Sequence, residues 1–162
     1  VGLSAEVAAA MITFYFVGMT LGRFLSGILS LKLSDWQIVF TGQIFIFLAV
    51  VILLSSRYPI PSVLGLFLIG LGNGPIFPNM THLTPALYQK KASQSIIGVE
   101  MAFSNLSIML TPVLFGILSN LMGPGIFPVF LLVMFMLMSG CTIILKTGDA
   151  YSRKNKKAQA LS

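Results

Sequence analysis

Glu100, Ser104, Ser107 and Thr111 follow one another at intervals of four, three and four, which places an acid and three hydroxyls on one face of a helix. The carboxyl group of such a stripe can carry a proton or pair with a cation. Its hydroxyls can hold a polar solute or let a neighbouring helix come close. Asn105 lies beside the stripe. Earlier in the chain, Asn79 and His82 are three positions apart and share a face, while Asn73 and Phe77 are four apart and share another. Asparagine amides offer both donors and an acceptor to a hydroxyl-rich solute without any change of charge. His82 could titrate near neutral pH or act as a hydrogen-bonded structural residue. Arg23 could pair with an acid, bind an anionic substrate or extend toward lipid headgroups. No nucleophile is set beside a base, no carboxylates are paired, and one histidine and one cysteine are too few for a zinc site of side chains alone. The expectation is a protein that is not an enzyme and uses no metal or cofactor.

The elements that must position these residues follow from composition. Of 162 residues, 56% are hydrophobic and 9% charged, against about 25% charged in an ordinary soluble domain. An all-α integral membrane protein is expected. Five segments reach the length of about 20 apolar residues that a helix needs to cross a bilayer: 7–31, 36–55, 61–88, 95–122 and 125–145. Together they make a transmembrane region over 1–147, followed by a basic tail over 148–162. The net charge of +6 is spread between apolar segments and gathers on no soluble face, so nucleic acid is not an expected partner. Two N-x-S/T matches, at Asn79 and Asn105, fall inside spans and are not glycosylation sites.

Lysine and arginine are retained on the cytoplasmic side during insertion. Lys32 marks the first loop, Lys90 and Lys91 the third, and Lys146, Arg153, Lys154, Lys156 and Lys157 the tail, whereas Arg57 alone falls in the intervening loops. This distribution predicts a cytoplasmic C-terminus and an N-terminus that starts outside. An odd number of spans and a first residue Val1 in place of methionine suit part of a longer protein.

Within the spans, the third carries Gly70, Gly72, Gly74, Pro75 and Pro78 in a run of nine residues, and a helix of that composition is weakened. In lipid such a weak point persists where protein or a water-filled cavity surrounds it. Gly18 and Gly22 form a GxxxG step that Gly27 continues, a track for close helix approach. Pro112 adds a comparable point to the fourth span. These residues are the candidates for a hinge or for close packing. The second and fifth spans carry no polar side chain over 44–54 and 127–138 and fit a lipid-facing scaffold.

Gly22-Arg23 with Gly27 ahead of the short Lys32 loop, the Gly70-to-Pro78 segment, and Thr111-Pro112 with Gly116 resemble the C-terminal half of a major facilitator superfamily transporter. The closest group is that of the sugar permeases, which includes fucose/proton symporters. The resemblance covers nearly all of 7–145 and implies twelve helices in two halves, of which these five spans match the eighth to twelfth. It implies a secondary transporter, in the plasma membrane, that moves a small polar, sugar-like solute by alternating access, with the missing N-terminal half as its partner. Asn73, Phe77, Asn79, Asn105, Ser107 and Thr111 are then candidates for the cavity wall, and Arg23, His82 and Glu100 for coupling or gating, with the proton as the candidate ion. The acidic residue of the family's loop signature has no counterpart beside Gly22-Arg23, and the fucose-type coupling carboxylates lie in the N-terminal half. Two alternatives stand beside this reading: a small membrane subunit or assembly factor whose polar faces dock partner helices, and an exporter of drugs or metabolites built on the same fold.

Overall fold

A computed structural model describes residues 5–55, 59–88 and 90–159. Every regular element among them is helical: α1 (Ala5–Leu29), α2 (Asp35–Ser55), α3 (Pro59–Leu87), α4 (Lys90–Met122), a 3-10 turn (Pro124–Ile126) and α5 (Phe127–Gln159). Each of the five long helices contains a stretch apolar and long enough to cross a membrane, because in lipid a helix satisfies every backbone group within its own segment. Arg57 lies outside the described residues, as do the side chains of Lys90, Lys91, Arg153, Lys154, Lys156 and Lys157.

Local sequence sets the ends of the elements. Ser34 and Gln37 form a capping box at the start of α2: the Gln37 Oε1 accepts from the Ser34 N–H at 2.9 Å, and the Ser34 Oγ faces the Gln37 N–H at 3.4 Å. At the other boundary, Gly123 takes φ 85°, a left-handed conformation that glycine adopts without a Cβ penalty, and its N–H closes α4 on the Ser119 carbonyl at 2.9 Å.

The segment 70–79, weak by composition, is an uninterrupted part of α3 even with Pro75, Pro78 and Pro85 inside the helix. Its glycines are points of backbone contact. A Cβ on Gly70 would strike the Tyr15 carbonyl, and one on Gly74 would come within 2.5 Å of the Met19 carbonyl. In return, a Cβ on Gly18 or Gly22 would strike the carbonyl of Phe67 or Leu71. Pro75 deprives the Leu71 carbonyl of its usual helical donor, and that is the carbonyl that Gly22 faces. Gly72 turns the other way and meets Gly42 of α2. The helix that looked weakest is therefore the centre of the bundle, with one glycine row for each neighbour. Gly27, expected to continue the α1 track, has open space around it. Pro112 lies within α4 without ending it.

A second correction concerns α2, expected to be lipid-facing. It is the most buried of the five, with Ile38, Val39, Ala49 and Val50 covered. Ile46 and Val50 form a core with Ile76 of α3, packed against Leu131, Leu132, Phe135 and Met138 of α5. The apolar stretch 44–54 had hidden this role, since in a membrane protein a plain face can meet lipid or a neighbouring helix equally well. α5 continues past Leu145 to Gln159, so the predicted basic tail begins as helix. There it lies on α2: the Lys146 ammonium sits 4.2 Å from the centre of the Phe40 ring, and the Trp36 indole N–H donates to Asp149 at 3.3 Å. By contrast, α4 is mostly exposed, with no fully buried residue across its most apolar stretch. Phe115 of α4 meets Phe127 and Phe130 at 5.5 and 5.4 Å, close to the Gly123 turn.

Candidate functional site

Close approach of α1 to α3 through Gly74, where a Cβ would lie 3.1 Å from the Arg23 amide nitrogen, leaves a groove toward the Lys32 end of the bundle. It has a volume of about 1060 Å³, and Arg23, Ser26, Asp35, Phe77, Asn79 and His82 are among its walls, with Met101 closing it from α4. That volume is ample for a small solute.

Asn79, a candidate for the wall, is buried at the base of the groove. Its Nδ2 donates to the Ser26 Oγ at 2.7 Å and to the Pro75 carbonyl at 2.6 Å, so both amide hydrogens are used and only Oδ1 is left for a ligand. Phe77 is partly exposed and presents an apolar face to the same space. Asn73 and Phe77, placed on one face by their spacing, open onto different cavities. Asn73 borders a pocket of about 160 Å³ shared by α2, α3 and α5, while its Nδ2 donates to the Tyr15 hydroxyl at 3.3 Å.

The charged groups take up distinct positions. His82 is 79% exposed, and its Nδ1 lies 3.0 Å from the Asp35 Oδ2. The carboxylate accepts only, which fixes the hydrogen on Nδ1 and leaves Nε2 as an acceptor in the neutral ring. Arg23 is exposed and lines the groove. Among the described residues, its side chain has neither an ion pair nor a hydrogen bond, while two hydroxyls of the same groove donate to their own helices: Ser30 to the Gly27 carbonyl at 2.8 Å and Thr81 to the Phe77 carbonyl at 3.1 Å.

Glu100 is not among the groove's walls, although its chain neighbour Met101 is. Its Oε1 accepts from the Thr84 hydroxyl at 2.7 Å, which joins α4 to α3, and its Oε2 is buried with no hydrogen-bond partner among the described residues. Of the rest of the stripe, Ser104 and Thr111 are half-buried and Ser107 is exposed, as is Asn105 beside it. Ser107 donates to the Phe103 carbonyl at 2.8 Å. The structure thus brings Arg23, Phe77, Asn79 and His82 to one groove, sets Glu100 beside it, and leaves Asn73, Asn105, Ser107 and Thr111 outside its walls.

The partners Ser26, Asp35 and Thr84 were not legible as such. Nor was the buried bond from Gln43 Nε2 to Thr142 Oγ1, 2.8 Å, that joins α2 to α5. A lone polar residue in an apolar run was the available signal for Gln43 and for Thr142. Among the described residues, no three His, Cys, Asp or Glu side chains gather in a way that could hold a metal ion.

No curated protein and no solved structure matches the chain. The profile of the Major Facilitator Superfamily, a family of transporters and not of enzymes, matches residues 1–161. With five bilayer-length helices and that match over almost its full length, the chain belongs to the Major Facilitator Superfamily.

Proposed function

We propose that the chain is the C-terminal part of a twelve-helix secondary active transporter, its five helices corresponding to the eighth to twelfth. It moves a small polar solute by alternating access across the plasma membrane. The observation that carries this reading is the groove between α1 and α3, where a cation, an imidazole–carboxylate pair and an aromatic ring line one space in an otherwise apolar body. In this reading the Lys32 end and the C-terminus face the cytoplasm, following the positive-inside rule. The opposing wall of the cavity belongs to an N-terminal half.

A sugar-like solute, as in the sugar-permease group, is supported by the Phe77 face and by the hydrogen-bonding groups beside it. Glu100 is the candidate proton carrier, because one carboxylate oxygen is held by Thr84 and the other is left bare at membrane depth. The apolar share of the wall, including Phe77 and Met101, supports export of an amphipathic compound as the second reading. The family match favours either over a docking subunit. Full-length protein reconstituted in liposomes should show saturable solute flux that responds to an imposed pH gradient. Absence of saturable flux for polar and amphipathic solutes alike would overturn the reading.

A further inference from the structure

The groove contains one charge that its own walls do not answer. Arg23 remains cationic at any physiological pH, and among the described residues no carboxylate lies within ion-pair distance of it. The negative group in the same space, Asp35, is half-buried and turned to His82 at 3.0 Å. The hydroxyls of Ser30 and Thr81 in the same groove donate to carbonyls of their own helices, and both amide hydrogens of Asn79 go to Ser26 and Pro75. What these groups leave open are acceptors, Asn79 Oδ1 and His82 Nε2 among them, so the five donors of the guanidinium are the uncommitted cationic donors of the groove, and their fork geometry matches a carboxylate or phosphate.

Position argues against a purely interfacial role for this cation. Arg23 is roughly 9 Å inside the Leu29 end of α1, at 1.5 Å per residue, and its backbone is pressed against Gly74. Lys32 is exposed beyond the helix end and is the cation nearer the headgroups in the orientation proposed above. A cation whose backbone is anchored as that of Arg23 is, over a groove with an aromatic wall, is costly if left to lipid and suits a place where it binds something.

We infer that the groove takes a small organic anion, with its carboxylate or phosphate oxygens on the Arg23 guanidinium. The apolar part of the anion lies toward Phe77, and a hydroxyl of the solute reaches the His82 Nε2. This rests on the transport reading above and narrows its solute to hydroxylated acids or phosphate esters. The headgroup of an anionic lipid presents the same oxygens, and the test separates the two sources.

The test uses the full-length transporter, purified in detergent, with Arg23→Gln and Arg23→Lys variants checked for an unchanged helical spectrum. Gluconate and inorganic phosphate, against chloride at equal ionic strength, should raise the wild-type Tm by about 2–4 °C at ten times the dissociation constant. The shift should vanish in Arg23→Gln and survive in part in Arg23→Lys, whereas glucose should give none. If phosphatidylglycerol in the micelle produces the Arg23-dependent shift and the soluble anions do not, the same site holds a lipid headgroup. Equal stability in all these additives, or a shift that persists in Arg23→Gln, overturns the inference. Flux is measured in parallel in phosphatidylcholine liposomes. Saturable flux that is indifferent to Arg23→Gln leaves the transporter standing without the anion site. An Arg23-dependent shift without saturable flux leaves the site standing without the transporter.

Discussion

The Asn79 amide donates to the Ser26 hydroxyl at 2.7 Å, and both side chains are buried where α3 crosses α1. The same amide also reaches the Pro75 carbonyl at 2.6 Å, so one side chain braces its own helix and fastens it to the next. Replacing Asn79 by Ala should destabilise the folded protein by about 1–2 kcal/mol. Combining it with Ser26→Ala should give a coupling energy of about 0.6 kcal/mol, the usual scale for interhelical bonds in membranes. Unfolding in a graded denaturing detergent measures both, and strictly additive single effects would refute the pairing.

Gly74→Ala should be far more damaging than its size suggests. The added Cβ would come within 2.5 Å of the Met19 carbonyl and 3.1 Å of the Arg23 nitrogen, both backbone atoms that no rotamer change can move aside. A loss of about 1–3 kcal/mol or more is expected from such overpacking. Gly27→Ala, where nothing lies within 4 Å, should be neutral or stabilising by up to about 1 kcal/mol through helix propensity. Thermal melts should place Gly74→Ala below the parent and Gly27→Ala at or above it.

Thr84 and Glu100 can be separated by chemistry. Glu100→Gln keeps an acceptor for the Thr84 hydroxyl, so the fold should survive while any accumulation driven by a pH gradient is lost. Thr84→Val leaves the Glu100 Oε1 without its donor and should cost about 1–3 kcal/mol. Gradient-driven uptake by Glu100→Gln equal to that of the parent would remove this carboxyl from the coupling path.

The buried bond between Gln43 and Thr142 should be dispensable only as a pair. Thr142→Val alone strands a buried amide and should cost about 1–3 kcal/mol. Adding Gln43→Leu should recover most of that loss, because two apolar groups of similar shape replace two matched polar ones. A double variant less stable than Thr142→Val would show that the amide has another role.

The five crossings were legible because length and hydropathy report directly on a bilayer. The GxxxG step at Gly18 and Gly22 was legible for a similar reason, since small residues four apart permit little besides close packing. The meaning of Gly70, Gly72 and Gly74 was harder to read. A glycine–proline run signals a weak helix in isolation, yet α3 is continuous because α1 and α2 press on it from two sides. The Gln43–Thr142 partnership spans 99 positions, and no local pattern carries such a distance. The capping box at Ser34 and Gln37 is a local signal, a serine and a glutamine three apart at the head of an apolar run. Arg23, Asn79 and His82 were singled out individually by polarity, but their gathering in one groove needed the packing of α1 on α3. The spacing of Asn73 and Phe77 misled, because four helical positions return to one face while the side chains still lean into different cavities.

Two helices separated by side chains can slip past one another by a fraction of a turn as rotamers readjust. α1 and α3 have no such bearing surface. Along Gly18, Gly22, Gly70 and Gly74 they are keyed backbone to backbone, and a shift of one residue would drive Met19 or Leu71 into the space that only a hydrogen fills. In any opening and closing of a cavity this pair must travel as one piece, carrying Arg23 and Asn79 in fixed relation. The play in the mechanism then falls to α4, which the chain holds at Thr84 and at the Phe115 cluster and leaves mostly exposed between them.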